Sequence, residues 1–150
     1  MYPSYRSLTP PKILLVEDDR GTARLIEEAL ENTGVVHDLC VVHNGEDAIL
    51  AVDKANGASA PDLLLLDLQM PKKNGFEVLE HLKTREHIRR IPVVMFSSSA
   101  TPEDVNRAYD LHCNAYVVKT QGLPELSKTL ESVLRFWLTT AMTPFSPKLT

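Results

Sequence analysis

Cysteine is scarce in this chain: Cys40 and Cys113 are the only two among 150 residues. Two thiols do not make a disulfide framework, and both fall in or beside strand-like segments, so free buried thiols are expected. Long apolar runs are missing too. Leu63 to Leu66 is typical of the longest, whereas a membrane span needs ~20 such residues. The N-terminal stretch from Met1 to Pro11 carries Pro, Ser and Tyr but lacks the apolar core of a secretory signal. These absences point to a cytoplasmic protein with no membrane partner. Positive charge is thin, with 16 Lys and Arg against 20 Asp and Glu and a formal net charge of −4. The densest basic spots, Lys72-Lys73 and Arg89-Arg90, read as solvated turns, so no nucleic-acid partner is expected. The five histidines (His37, His43, His81, His87 and His112) are scattered. None is assigned as a metal ligand or as a relay histidine.

What is present is the composition of a soluble globular domain, 43% hydrophobic and 24% charged. The length suits one domain with a proper core. Four short apolar runs stand out: Ile13 to Val16, Leu63 to Leu66, Val93 to Phe96 and Ala115 to Val118. None alternates polar with apolar, which is the pattern of parallel strands covered on both faces. A weaker fifth run, Val36 to Val42, reads as an edge strand. Helical patterns lie between them, over Arg20 to Thr33, Glu46 to Ala55, Gly75 to Lys83, Pro102 to Leu111 and Pro124 to Thr139. Gly34 stops the first of these. Thr101 caps the fourth, with Pro102 at its first position and Glu103-Asp104 in its first turn. Strand and helix thus alternate five times, which implies a doubly wound α/β domain with right-handed crossovers. The expected division is an N-terminal extension over 1–11, the domain over 12–140, and a tail over 141–150 too short to fold alone.

In such a sheet the carboxyl ends of the strands share one rim, and ligands bind there. The first run ends in Glu17-Asp18-Asp19, the third in Asp67, the fourth in Ser97-Ser98-Ser99 and the fifth in Lys119. Carboxylates that close repel one another, and a divalent cation relieves the conflict. Oxygen ligands without His or Cys favour Mg²⁺ over zinc. An Asp beside bound Mg²⁺ can act as a nucleophile and form an aspartyl phosphate. Ser97 and Lys119 would then hold the remaining phosphoryl oxygens, because phosphoryl transfer needs mainly positioning and charge neutralisation. Asp19 reads better as the N-cap of the first helix than as a third metal-site acid.

Four pieces in order carry a resemblance. They are Ile13-Leu14-Leu15-Val16-Glu17-Asp18-Asp19, Leu66-Asp67-Leu68-Gln69-Met70-Pro71 followed by Gly75, Pro92 through Ser97, and Tyr116-Val117-Val118-Lys119. Over about Lys12 to Thr139 the chain resembles the response-regulator receiver family. The resemblance implies a flavodoxin-like, five-stranded parallel sheet in the order 2-1-3-4-5. It implies Asp67 as phosphoacceptor, with Mg²⁺ held by Asp18, by Asp67, by the backbone carbonyl of Gln69 and, mostly through water, by Glu17. Ser97 would be the switch hydroxyl, Lys119 its partner at the phosphate, and Tyr116 the aromatic that changes rotamer with Ser97. Positions Gln69 and Ser99 would tune the lifetime of the phosphoryl group.

Two departures stand out. Thr120 stands where receivers usually have Pro, so a cis peptide is not implied. His112 stands where they usually have Gly, so a differently built loop is expected before the last strand. Together with Asp110 to Tyr116, Lys119-Thr120 and Arg135 to Leu138, they look like the single-domain regulators paired with bacterial and cyanobacterial phytochrome kinases. A light-sensing histidine kinase is then the expected phosphodonor, and a homodimer is implied.

The last helix gives a separate hint of dimerisation. At ~100° per residue, Leu123, Leu126, Leu130, Val133, Leu134, Trp137 and Leu138 form one core stripe. Phe136 falls off it, and Met142 and Phe145 follow; with Trp137 these are the expected dimer or partner residues. The reading is a response regulator without an output domain, which signals by phosphorylation-linked binding or dimerisation and catalyses only its own phosphoryl transfer and dephosphorylation. One rival is a Mg²⁺-dependent phosphatase with an aspartyl nucleophile, although haloacid-dehalogenase phosphatases place Asp-x-Asp where this chain has Glu17-Asp18-Asp19. The other is an interaction module on the same fold that is never phosphorylated.

Overall fold

The computed structural model describes residues 10–56, 59–70, 72–119 and 122–144. Five strands alternate with five helices: β1 Lys12–Val16, α1 Arg20–Asn32, β2 Asp38–Val42, α2 Gly45–Asp53, β3 Leu63–Leu66, α3 Gly75–Lys83, β4 Val93–Ser97, α4 Pro102–Asp110, β5 Ala115–Val118 and α5 Leu123–Leu134. All pairings are parallel, and the sheet order is β2-β1-β3-β4-β5. No helix of the described residues is long and apolar enough to cross a membrane.

The unbroken apolar runs have a simple cause. Side chains alternate across a strand. Leu14, Val16, Leu64, Leu66, Val93 and Met95 face α2, α3 and α4, in a core with Val52, Leu79 and Ala108. Ile13, Leu15, Leu63, Leu65, Val94 and Phe96 face α1 and α5, in a second core with Ile26, Leu30 and Leu130. Both faces of the three middle strands are dry, so every position is apolar. β2 lies at an edge, as its mixed pattern implied, but it is shorter than the Val36 to Val42 run. His37 closes locally on the Val35 carbonyl, and Val36 stays 70% exposed. The edge also corrects the reading of the thiols. Both are free, but only Cys113 is buried, while Cys40 is exposed on β2.

Helix ends follow their local chemistry. Asp19 caps α1, with Oδ2 accepting from Thr22 N–H at 2.8 Å and Thr22 Oγ1 at 2.6 Å. Asn74 and Glu77 form a reciprocal capping box on α3. The end of α4 departs from the expected rebuilding of its loop. Cys113 N–H bonds Ala108 O at 3.1 Å and His112 N–H bonds Tyr109 O at 2.9 Å. That is a Schellman motif, and His112 takes its left-handed position at φ +70° in place of a glycine. Thr120 lies outside the described residues.

The last helix is not a uniform α-helix. After Leu134 it widens into a π-helical stretch, Arg135–Thr140, with Ala141 N–H bonding Phe136 O at 2.6 Å. Leu126, Leu130, Leu134 and Leu138 are all buried. Their four-residue spacing overshoots an α-helical turn by about 40° at each step, and a wider turn takes out part of that drift. The chain then folds back along the starts of the strands. Thr143 is buried, its hydroxyl 3.4 Å from Asp62 Oδ1, while Asp62 Oδ2 accepts from Lys12 N–H at 2.8 Å. On the same rim Lys83 Nζ donates to Arg89 O, Ile91 O and Asn114 Oδ1 at 3.1, 2.9 and 3.1 Å.

Candidate functional site

The opposite rim collects the chemistry. β1 and β3 are adjacent, with Val16 beside Leu66, so the residues that follow them meet. Glu17, Asp18 and Asp67 each bring a carboxylate oxygen within 4.8 Å of the others. Glu17 and Asp67 are buried, and Asp18 is more open to solvent. Asp19 is not in this group, because its carboxylate is committed to α1. The backbone is pinned on both sides: Asp67 N–H bonds Val16 O and Glu17 N–H bonds Val42 O, each at 3.0 Å.

β5 supplies the counter-charge. Lys119 Nζ donates to Glu17 Oε1 at 2.5 Å and lies 3.4 Å from Asp67 Oδ1. Its own N–H continues the sheet, bonding Ser97 O at 2.8 Å. Asp67 Oδ1 also accepts from Leu68 N–H at 2.8 Å, and Glu17 Oε2 accepts from Asp19 N–H at 3.3 Å. Burial pushes the Glu17 carboxyl up to about 7. The hydrogen bond from Lys119 pulls it down, and the charge of Asp67 pushes it further up. A carboxyl raised in this way beside two other acids is the conflict that a divalent cation resolves, so the donor set fits one. All three donors are oxygens, which suits a hard cation.

Ser97 ends β4 at 2% exposure. Its Oγ accepts from Ser99 N–H at 3.2 Å. The Tyr116 ring packs against the α2–α4 core, and its hydroxyl donates to Ser99 O at 2.8 Å. The Ser99 hydroxyl turns the other way and donates to Asp104 Oδ2 at 2.5 Å. Gln69 is exposed at the lip of a cleft of about 330 Å³ lined also by Met70, Asn74, Phe76, Asp104 and Arg107. The rim thus brings together Glu17, Asp18, Asp67, Ser97 and Lys119, with Tyr116 and Ser99 one layer out. Phe136, Trp137 and Met142 lie apart from it on the last helix and tail, and Phe145 falls outside the described residues.

Gly75 explains why β3 and α3 sit so close here. A Cβ at that position would lie 2.3 Å from the Asp67 carbonyl oxygen, so a side chain there would push α3 off the backbone of Asp67. Two residues escaped the sequence reading. The His43 Nδ1 is 2.9 Å from Glu17 O; its place at the end of β2, on the same rim, was the available signal. Asp104 was read only as a favourable acid in the first turn of α4, and nothing in its spacing announces a bond to Ser99.

The response regulator receiver domain model matches residues 13–131 of this sequence. The chain belongs to that family. Among curated proteins, the receiver is 38% identical to response regulator Rcp1 of Synechocystis sp. over 139 residues, 90% of this chain and 95% of the relative. Among solved structures it is similar to the phosphorylated cyanobacterial phytochrome response regulator RcpA, at 42% identity and a TM-score of 0.83, covering 91% of this chain and 99% of that one. It is also similar to the Mn²⁺-bound form of Rcp1, at 38% identity and a TM-score of 0.78, covering 90% and 99%. Receiver domains are the partners of sensor histidine kinases, and phosphorylation on an aspartate and Mg²⁺ binding are general to the family. This receiver is accordingly a response-regulator protein of two-component signalling, homologous to phytochrome regulators, rather than an enzyme acting on a separate substrate.

Proposed function

We propose that Asp67 accepts a phosphoryl group from a sensor histidine kinase of the phytochrome type. The supporting observation is the placement of Asp67, whose carboxylate lies 3.4 Å from the Lys119 ammonium and within 4.8 Å of carboxylate oxygens of Glu17 and Asp18. Mg²⁺ would be held by Asp18, Asp67 and the Gln69 carbonyl, with Glu17 acting mostly through water, and would supply neutralisation of the phosphoryl oxygens. A carboxylate oxygen of Asp67 attacks phosphorus, the P–N bond to the kinase histidine breaks, and the imidazole leaves with the electron pair. Lys119 lies close enough to Asp67 to pair with a phosphoryl oxygen on release from Glu17. Ser97 turns its hydroxyl proton, which the bond accepted from Ser99 N–H leaves free, toward another oxygen. Tyr116, bonded to Ser99 O, follows that movement, and Gln69 and Ser99 set how long the phosphoryl group survives hydrolysis.

The readout is binding, by a homodimer formed through the last helix and tail. Phe136 is 52% exposed and Met142 71% exposed, and Phe136 stacks edge-on against Trp137 at 5.1 Å. This is an apolar surface available to a second copy, and no nucleic acid is involved. A cytoplasmic location and the division into an extension over 1–11, a receiver over 12–140 and a tail over 141–150 belong to the same proposal. The experiment is incubation with acetyl phosphate and Mg²⁺ followed by intact mass, beside Asp67→Asn. One phosphoryl adduct on the wild type, absent from the variant and with EDTA, is the expected result. An adduct of equal yield on Asp67→Asn would overturn the assignment.

A further inference from the structure

Asp18 has the least support of the three acids at the rim. Glu17 and Asp67 are buried, and their carboxylates accept hydrogen bonds from Lys119 and Leu68 respectively. Asp18 is half-buried, and its carboxylate accepts no hydrogen bond among the described residues. Its position is therefore set by the main chain on either side, and each flanking peptide is held by one bond. In the peptide after Asp18, the Asp19 N–H donates to Glu17 Oε2 at 3.3 Å. In the peptide before it, the Glu17 carbonyl oxygen lies 2.9 Å from His43 Nδ1. A carbonyl oxygen only accepts, so Nδ1 carries the proton of this bond. The first partner is a carboxylate of the acidic cluster itself, whereas His43 stands outside that cluster. The base on which His43 stands is firm. Val42 O accepts from Glu17 N–H at 3.0 Å, so both main-chain groups of Glu17 are tied to the end of β2. Asn44 caps α2, its Oδ1 accepting from Asp47 N–H at 2.8 Å. Gly45 presses on the segment between β3 and α3, where a Cβ would lie 2.0 Å from the Lys73 carbonyl oxygen.

We infer that His43 is a positioning residue for cation binding, whose Nδ1–H fixes the peptide between Glu17 and Asp18 and so places the Asp18 carboxylate. The inference rests on the reading of Glu17, Asp18 and Asp67 as the Mg²⁺ site. Groups that hold a ligand from behind govern metal affinity through the ligand's orientation. Without the His43 bond, this peptide loses its tie to β2, and the Asp18 carboxylate samples a wider range of positions before the ion arrives. Ordering it again on binding costs affinity. Once the ion is bound the ligand is in place, so the reaction at Asp67 proceeds as before at saturating Mg²⁺. The role of His43 is thus in how readily the site fills, and not in the transfer itself.

The test is the Mg²⁺ midpoint of His43→Ala, His43→Leu and His43→Asn, read by calorimetric titration and by the Mg²⁺ dependence of labelling with acetyl phosphate. Alanine and leucine both remove the donor, and leucine keeps the space of the ring filled. Each is expected to raise the midpoint by about fivefold. The labelling rate at saturating Mg²⁺ should stay within about twofold of wild type, a split that a general loss of structure would not produce. Asparagine can place an amide nitrogen where Nδ1 stands, so His43→Asn should recover the wild-type midpoint. If His43→Ala does not fold, His43→Leu carries the comparison. An unmoved midpoint in the variants without the donor would overturn the inference, as would a His43→Asn midpoint shifted as far as that of alanine. Asp18→Asn separates the two readings: a midpoint there close to wild type would strike the assignment of the cation site rather than that of His43.

Discussion

The two rims of the sheet both hold buried charge, and they hold it differently. At the amino-terminal rim, Asp62 takes the Lys12 N–H and the Thr143 hydroxyl, and Lys83 gives hydrogen bonds to two main-chain carbonyls and the Asn114 amide. None of those partners titrates near neutrality. At the carboxyl-terminal rim, Lys119 pairs with both Glu17 and Asp67, and the Asp18 carboxylate lies within 4.8 Å of the two acids. A charge bonded to the main chain staples connections together. Charges bonded to one another form a system whose energy changes when an ion or a phosphoryl group joins it. The residue types are the same at both rims, so chemistry is distinguished from architecture here by partners rather than by composition.

Substitutions at the two lysines should separate these roles most sharply. Lys119→Met is expected to slow labelling by acetyl phosphate by about a hundredfold, the usual loss for one preorganised charge-stabilising group. A slowing of less than twofold would remove Lys119 from the phosphoryl site. Lys83→Ala should leave the labelling rate unchanged yet lower unfolding free energy by about 1 kcal/mol, because three hydrogen bonds, one of them to the part-buried Ile91 carbonyl, are lost. Urea denaturation reads that loss, and a variant as stable as wild type would show that the staple contributes nothing.

The rims should also differ in their response to pH. Burial brings the Lys83 ammonium down to about 8, with Cys113 opposing the shift. A lysine lowered on folding adds stability as pH rises from about 8 toward its unfolded value near 10.4, since the unfolded chain binds more protons there. Glu17 works in the opposite direction. Its carboxyl is raised to about 7 in the fold, so its stabilising contribution is full below its unfolded value near 4.3 and fades as pH rises through 7. A cation must displace that proton, so the Mg²⁺ midpoint should weaken by up to about tenfold per unit as pH falls below 7. Calorimetric titrations at pH 6 and 8 with equal midpoints would contradict this coupling.

The smallest effect is expected away from both sites. His112→Gly removes a side chain from the left-handed end of α4 and should stabilise the protein by about 1 kcal/mol, with labelling unchanged. Thermal unfolding measures it, and a lower melting temperature would show that the imidazole makes a compensating contact.

Much of the frame could be read from the residues because the constraint was local. A strand dry on both faces must be apolar at every position, so the runs of β1, β3 and β4 were visible; β5 was read the same way, but it is an edge strand, half-exposed along its length. Asp19 and Thr101 betrayed their caps because capping chemistry is confined to three or four residues. The acids, Ser97 and Lys119 could be placed on one rim because parallel strands put all their carboxyl ends together. What escaped depends on pairs far apart in the chain or on shape. Lys83 and Asn114 meet only after α3 and β5 are packed. The Ser99 to Asp104 bond needs a loop geometry that no residue type demands. The π-helical stretch follows the four-residue spacing of the buried leucines, which only the packed core reveals as a single line. His112 misled the reading for a different reason: a glycine was taken as obligatory where it is only the cheapest choice.

The anchoring of Thr143 on Asp62 has a consequence for distance. Asp62 precedes β3 and Asp67 follows it, so the two stand apart by five residue steps of about 3.3 Å each, roughly 16 Å in all. The Thr143 anchor therefore lies a full strand length from the Asp67 carboxylate. A change in charge at Asp67 can alter the packing around Thr143 only as a displacement carried along β3 or its neighbours, not by direct contact.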